Sequence, residues 1–178
     1  MAKTMKMTAA ISLLLTVVFT LLYRFTASKA LLPLAITAGT VAYHFLVRLL
    51  IGYLLDRILR NKVNYRRKWF RVSNSEMRFY RAIRIKKWKQ KMPTYAPDVF
   101  DPARHSWDEI MQAMCQSELV HETIVLFSFL PIVASVWFGV LAVFLITSLL
   151  SAAFDLLFVF MQRFNRTRIL KIKAKQPS

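Results

Sequence analysis

The sequence predicts an all-α membrane protein with four transmembrane helices, arranged as two hairpins with a basic, aromatic-rich cytoplasmic or interfacial segment between them. Three observations support this fold class. The 31 residues from 124 to 154 carry no ionised side chain, whereas one crossing of a hydrocarbon core ~30 Å thick needs ~20 apolar residues. A second pair of apolar runs opens the chain. The 26 lysine and arginine residues, against 9 acidic residues, lie almost entirely outside these runs.

The four spans follow from where the apolar runs begin and end. We expect them at residues 8–23, 31–55, 119–138 and 140–160. Pro131 should kink the third span, and Gly139 is the natural break between the third and the fourth. The corresponding domain division is an N-terminal transmembrane hairpin (1–56), a basic cytoplasmic or interfacial segment (57–118), a C-terminal transmembrane hairpin (119–162) and a basic cytoplasmic tail (163–178).

The distribution of positive charge predicts the orientation. With four spans, both termini share a side with the middle segment, and that side carries 23 of the 26 lysine and arginine residues. Because positively charged loops stay in the cytoplasm, we expect both termini to be cytoplasmic. Lys3 and Lys6 before the first run indicate a retained signal anchor. The single cysteine, Cys115, excludes a disulfide within the chain.

The middle segment interleaves basic residues with Trp, Tyr and Phe, a composition that fits a helix in the headgroup layer. A short amphipathic helix is expected over residues 76–88. Ser106 and Glu109 form a capping-box pattern, so a helix starting there could continue into the third span. The net charge of +17 would suit nucleic acid, but the positive charge lies beside the spans. We therefore expect anionic lipid headgroups as partners, and no nucleic acid.

His121 is the first residue that could carry chemistry, because it follows Glu118 by three positions at the start of the third span. Residues three apart share a face of a helix. A carboxylate beside an imidazole fixes its tautomer and raises its basicity, which suits a general base. Two other interpretations stay open. His121 could be an ordinary interfacial side chain among solvated acids, or it could ligate a metal with His105 and Asp101.

Arg48 is unusual because it lies inside the second span, one turn after His44. An arginine at the centre of a span costs ~2.5–3.5 kcal/mol on insertion scales, so such a residue usually faces a partner or a water-filled cavity. Asp155 lies at a similar depth in the fourth span and has the opposite charge. We therefore expect an Arg48–Asp155 structural pair. The alternative is that Arg48 extends to the inner interface.

A short run before the first proline of the middle segment concentrates cations around a tryptophan. It consists of Lys86, Lys87, Trp88, Lys89, Gln90 and Lys91. Such a run serves either as topological charge with an aromatic anchor or as a phosphate site for a nucleotide-bearing cofactor or an acidic carrier protein. After the fourth span, Arg163, Arg166 and Arg168 suit stop-transfer charge. The neutral amide of Asn165 is not explained in that way.

The motifs also occur in a familiar order. They are Lys87-Trp88-Lys89, then Glu118-x-x-His121, then Gln162-Arg163-Phe164-Asn165-Arg166. In order and spacing, the stretch from about residue 69 to residue 170 resembles the small bacterial membrane acyltransferases typified by glycosyl-diaponeurosporenoate acyltransferase. That family often has Trp after its histidine, where this chain has Glu122.

The resemblance implies an O-acyltransferase of the bacterial cytoplasmic membrane that holds no permanent cofactor and no metal. The donor would be acyl-CoA or acyl carrier protein, and the acceptor a hydroxyl of a membrane lipid or glycolipid. By the same resemblance, His121 would be the catalytic base, oriented by Glu118. The donor would be held by Lys86, Lys87, Trp88, Lys89, Asn165, Arg166 and Arg168, with Asn165 contributing to an oxyanion site.

Two other functions are compatible with the sequence. The first is a non-catalytic membrane scaffold or lipid-binding protein, which needs no catalytic histidine. The second is a metal-dependent lipid hydrolase, in which His105 would be as essential as His121. Four spans form a thin bundle, so a homodimer is a further possibility.

Overall fold

The computed structural model describes residues 2–94 and 96–174; Met1, Tyr95 and the last four residues of the predicted basic tail lie outside the described residues. Within those ranges the chain forms seven α-helices, three short 3₁₀ turns and no strand. The helices are α1 (Ala2–Thr26), α2 (Leu31–Leu59), α3 (Asn74–Ala82), α4 (Ile85–Trp88), α5 (Trp107–Phe127), α6 (Pro131–Phe138) and α7 (Leu141–Lys173). The 3₁₀ turns are Lys68–Phe70, Lys89–Lys91 and Pro97–Phe100.

Four helical stretches of the described chain are long and apolar enough to cross a membrane: Lys3–Thr26, Leu31–Leu59, Trp107–Phe138 and Leu141–Lys173. The all-helical class and the four candidate spans are thereby confirmed. The arrangement of these spans as two hairpins, their orientation and the division into four sequential domains stay predictions.

The two expected breaks in the apolar region occur where the sequence places them. Helix α5 ends at Phe127, and α6 begins at Pro131. Proline suits the first turn of a helix because its missing N–H would have no intrahelical partner there. Gly139 ends α6 with a φ of 65°, a backbone conformation that side chains disfavour. The third span is thus interrupted just before Pro131, and the break at Gly139 is confirmed.

Helix α5 begins well before the apolar run that it enters, and its start is capped as the sequence predicts. The backbone N–H of Glu109 donates to Oγ of Ser106 over 3.3 Å. In return, the backbone N–H of Ser106 donates to Oε2 of Glu109 over 2.8 Å. This reciprocal capping satisfies two N–H groups that a helix start leaves unpaired. The helix therefore brings Glu118 and His121 into the same element as the third span.

The expected single amphipathic helix over residues 76–88 is wrong, because the chain forms two helices there. Helix α3 ends at Ala82, and Arg84 adopts a left-handed conformation with a φ of 54° before α4 begins. The turn leaves Ile85 with no exposed surface. Burial of that side chain in the core of the segment outweighs the continuation of one regular helix.

The described chain divides into two compact units. Unit 1 comprises residues 2–53 and 123–155, and unit 2 comprises residues 54–122 and 156–174. In unit 1, helices α1 and α2 approach closely through small side chains: a Cβ added to Gly39 would lie 3.4 Å from Cγ2 of Thr16. Small residues at such contacts are typical of helix packing in membranes, where dispersion rather than water exclusion drives association.

Unit 2 has an apolar core of its own, built from the middle segment together with the start of α5 and the end of α7. One cluster joins Met77, Tyr80 and Ile85 to Phe164 of α7. A second joins Ile110, Met111 and Met114 of α5 to Ile169 of α7. A third contains Val63, Phe70 and Cys115. The middle segment therefore obtains its core by packing on parts of two long helices.

Candidate functional site

Glu118 is the centre of a buried ion network in unit 2. Its side chain has no exposed surface, and each of its carboxylate oxygens accepts from a different arginine of α7. Nη1 of Arg163 lies 2.6 Å from Oε1, and Nη1 of Arg166 lies 2.5 Å from Oε2. A buried carboxylate that is bound by two guanidinium groups is fixed in position. The two arginines that the sequence suggests as stop-transfer charge therefore have a specific structural partner.

The same two arginines attach the 3₁₀ turn Lys68–Phe70 to α7. Arg166, which is only 1% exposed, donates to the carbonyl of Phe70 over 2.8 Å, and its guanidinium lies 5.1 Å from the centre of that ring. Arg163 donates to the carbonyls of Trp69 and Arg71 over 3.2 and 3.1 Å. These contacts hold a loop of the middle segment against the helix.

Glu76 extends the network to α3. Its Oε1 lies 2.6 Å from Nε of Arg163, and it also accepts from the hydroxyl of Tyr80. Burial raises the pKa of the Glu76 carboxyl, but the hydrogen bonds from Arg163 and Tyr80 outweigh burial and hold the pKa below its ordinary value. Burial, followed by the neighbouring Glu76 carboxylate, raises the pKa of the Tyr80 phenol. Both groups therefore keep their charge state near neutral pH.

His121 lies on α5 one turn after Glu118. Its ring stacks on the ring of Phe158 with centroids 4.4 Å apart and an interplanar angle of 5°. His121 is half-buried and Phe158 is buried. The following residue, Glu122, accepts from Nε1 of Trp69 over 2.9 Å. This stacking restricts the plane of the imidazole. A fixed ring plane is required of a group that transfers protons in a defined direction.

A second cluster in unit 2 brings together residues that the sequence assigns to donor binding. Nζ of Lys89 donates to Oδ1 of Asn165 over 2.7 Å. Arg168 and Lys89 each lie 6.0 Å from the centre of the Phe164 ring. Burial, and then the charges of Arg168 and Lys86, lower the pKa of the Lys89 ammonium group. Burial and neighbouring cations both disfavour the charged ammonium group, and a bound anion would offset both effects.

The other predicted donor-binding residues lie in three different settings. Lys86 and Lys87 are exposed on α4. Trp88 donates from Nε1 to the carbonyl of Ile83 over 3.0 Å, and its ring packs on the Met77 cluster. Arg166 is buried on Glu118, away from solvent. Among the described residues, no group of three or more His, Cys, Asp and Glu side chains is arranged to hold a metal ion.

The pair that we expect between the second and fourth spans lies in unit 1. Nη2 of Arg48 is 2.5 Å from Oδ2 of Asp155, whose side chain has no exposed surface. Arg48 also donates from Nη2 to Oγ of Ser151 over 2.9 Å.

Sequence reasoning missed the partners that complete the Glu118 network. Glu76 is the only acidic residue between Arg57 and Lys91, and an isolated acid in so basic a segment is a signal that could have identified it. The hydrogen bond between Trp69 and Glu122 had no such signal, because an exposed tryptophan in a basic segment already suits the interface.

Comparison with known families decides the assignment. The sequence model of the glycosyl-4,4'-diaponeurosporenoate acyltransferase family matches residues 66–175, which is more than half of the chain. The chain belongs to this family. No curated protein and no solved structure matches it.

Membership of the glycosyl-4,4'-diaponeurosporenoate acyltransferase family gives the chain an acyltransferase role, and its four apolar helices indicate a membrane protein. The matched range includes the complete Glu118 network, His121, and the cluster around Lys89 and Asn165. It does not reach Arg48, which lies in the preceding part of the chain.

Proposed function

We propose that this protein is a membrane O-acyltransferase that moves a fatty acyl group from a thioester donor to a hydroxyl of a membrane lipid or glycolipid. The observation that carries the proposal is the position of His121: its ring is stacked on Phe158, one helical turn from the fully buried Glu118, in the unit that holds the basic cluster. The donor is acyl-CoA or acyl carrier protein.

In the proposed reaction, a ring nitrogen of His121 accepts the proton of the acceptor hydroxyl as its oxygen attacks the thioester carbonyl carbon. The tetrahedral intermediate then collapses with cleavage of the C–S bond. The imidazolium returns its proton to the departing thiolate, so that an ester and a free thiol are formed. A positioned base of this kind contributes ~10²–10⁴-fold to the rate.

Glu118 is proposed as the residue that orients His121. Its two arginine partners support this role because they hold the carboxylate rigidly on α5. The two carboxylates of the network, Glu118 and Glu76, balance the charges of Arg163 and Arg166.

Donor binding is proposed for the cluster around Lys89. The cations Lys86, Lys87, Lys89 and Arg168 would pair with the phosphates of the donor. Because Oδ1 of Asn165 accepts from Lys89, the Asn165 amide nitrogen is the atom that can donate to a developing oxyanion. Arg166, which the resemblance suggests as a phosphate ligand, is proposed instead to hold Glu118, since it is buried on that carboxylate.

The site of action is proposed to be the inner boundary of the bacterial cytoplasmic membrane, with both termini cytoplasmic. The concentration of cations beside the apolar helices supports this orientation. A cysteine in place of Lys6, in a Cys115→Ser background, should react with an impermeant maleimide only after the cytoplasmic face is opened. Labelling of intact spheroplasts would contradict the proposed orientation.

Mass spectrometry of lipids from cells that express the wild type, His121→Ala or His105→Ala tests the function. We expect a new ester of one lipid class with the wild type and with His105→Ala, and its loss with His121→Ala at equal protein level. His105 is the control because it lies on an exposed turn beside Glu109. A non-catalytic scaffold predicts that both variants behave like the wild type. A metal-dependent hydrolase predicts that both are inactive.

A further inference from the structure

Unit 1 contains a polar cluster within its apolar helices that the proposed acyl transfer does not use. The guanidinium of Arg48 binds Asp155 over 2.5 Å and Oγ of Ser151 over 2.9 Å. The hydroxyl of Ser151 in turn lies 3.1 Å from that of Ser128. Ionisable residues within a span are costly, and where they occur they commonly mark a site of function.

Three buried atoms of this cluster have no hydrogen-bond partner among the described residues. They are Nε2 of His44, Nε of Arg48 and Oγ of Ser148. His44 is 5% exposed and Ser148 has no exposed surface. The unpaired hydroxyl of Ser148 is unusual, because a serine or threonine in a membrane span ordinarily donates to a carbonyl one turn earlier in its own helix, as the neighbouring Thr147 does. Thr147 donates its hydroxyl to the carbonyl of Val143 over 2.8 Å.

The residues that carry the three atoms are neighbours along α2 and α7. His44 lies one turn before Arg48 on α2, and Ser148 lies one turn before Ser151 on α7. Since Arg48 contacts Ser151 directly, each of the three is within about one helical turn, ~5.4 Å along an axis, of that contact. Unpaired polar atoms are strongly disfavoured in hydrocarbon. Three of them together indicate a place built to receive a polar group.

The chemistry of the cluster restricts what that group can be. The charge of Arg48 is already balanced by Asp155, so a third charge would be buried without a counter-ion, which argues against a carboxylate, phosphate or ammonium. The group must accept from Nε of Arg48, and it must either donate to or accept from His44 and Ser148. A hydroxyl meets both requirements with either neutral tautomer of His44, whereas a carbonyl oxygen, which can only accept, meets them only when Nε2 of His44 carries the proton.

We propose that this cluster binds the hydroxyl group of a neutral, membrane-dissolved molecule. The inference does not depend on acyl transfer, because it rests on α2 and α7 of unit 1 and on none of the residues proposed for catalysis.

Photolabelling of the full chain in nanodiscs tests this site. The probe is dodecanol with a diazirine in its chain, and the matched control is the same diazirine on dodecane. We expect the alcohol to label the peptides that contain His44 and Ser148 about tenfold more than the alkane, since one or two hydrogen bonds are at stake. Unlabelled dodecanol should compete and dodecane should not. Equal labelling by the two probes would overturn the proposal.

Two variants and one control variant test whether the unpaired atoms bind the alcohol. Ser148→Ala and His44→Phe remove the unpaired atoms and should each reduce the excess labelling to near the alkane level. Thr147→Ala is the matched control, since that hydroxyl is satisfied within its own helix, and it should keep the excess. If the excess survives in both Ser148→Ala and His44→Phe, the alcohol is held elsewhere and the proposal fails. If either variant does not fold, the competition experiment on the wild type still decides.

Discussion

The two units bury their charges in different ways. In unit 1, a single arginine and a single aspartate pair between helices that are otherwise almost uncharged. In unit 2, one carboxylate binds two arginines, and these reach a second carboxylate and three backbone carbonyls. A single pair stabilises one contact, whereas the network fixes α5, α7 and the middle segment as one arrangement. The network lies one helical turn from His121, which it is proposed to position.

Glu118→Ala should have the largest effect, because it leaves the buried guanidinium of Arg166 without a carboxylate and removes one of the two carboxylates that bind Arg163. We expect a loss of about 3–5 kcal/mol in the free energy of unfolding, measured by denaturant titration in detergent. Glu122→Gln is the control, since it weakens only one hydrogen bond, from Trp69. Equal losses in the two variants would show that the network contributes no more than a peripheral contact.

Asp155→Ala should have the next largest effect, about 2–3 kcal/mol, by leaving Arg48 unpaired within a span. Addition of Arg48→Ala should restore part of the lost yield and stability, because the remaining charge is removed. Thermal unfolding of the two single variants and the double variant gives the coupling between them. Simply additive losses would argue against an energetically important pair.

Tyr80→Phe should lower the free energy of unfolding by about 1 kcal/mol, the typical value of one hydrogen bond, because Glu76 loses its hydrogen bond from the Tyr80 hydroxyl.

The Glu76 carboxylate also makes the stability of the protein depend on pH. Since its pKa is lowered on folding, its contribution is complete above the ordinary value of 4.5 and is lost as the pH falls below that value. Unfolding experiments between pH 3 and pH 6 should therefore show a smaller pH dependence for Glu76→Gln. If the free energy of unfolding of Glu76→Gln depends on pH as that of the wild type does, Glu76 does not contribute to the pH dependence.

Lys89→Met should have the smallest effect on stability, within about 0.5 kcal/mol, because the side chain is only half-buried. Its expected effect is on donor binding. We expect KM for the acyl donor to rise about three- to tenfold, as for the loss of one charge-assisted contact, with little change in kcat. Lys91→Met, an exposed cation nearby, is the control. A fall in kcat without a change in KM would contradict a binding role.

The sequence predicts the apolar part of the fold well. Hydrophobic run length determines the number of candidate spans, Pro131 and Gly139 determine where the third helix breaks, and Ser106 with Glu109 determines where it begins. These features are local, so they can be recognised without knowledge of tertiary contacts.

The arrangement of unit 2 could not be predicted in the same way. The break at Arg84 depends on burial of Ile85 against α7. The two arginines that bind Glu118 come 45 and 48 positions after it, and Glu76, which binds Arg163, comes 42 positions before it. A carboxylate three residues before a histidine suggests a catalytic pair on spacing alone. Spacing does not reveal that two distant arginines bind that carboxylate, because ion pairs between helices are set by packing rather than by sequence separation.

The proposed acyl transfer depends most directly on His121. We would measure transfer of a radiolabelled acyl group from acyl-CoA or acyl carrier protein to lipid extract, by wild-type protein and His121→Gln in proteoliposomes, with unfolding curves to verify that both are folded. If His121 is the catalytic base, turnover by the variant should be about 10²–10⁴-fold lower, with an unchanged unfolding curve. Acyl transfer by a folded His121→Gln variant at close to the wild-type rate would contradict it.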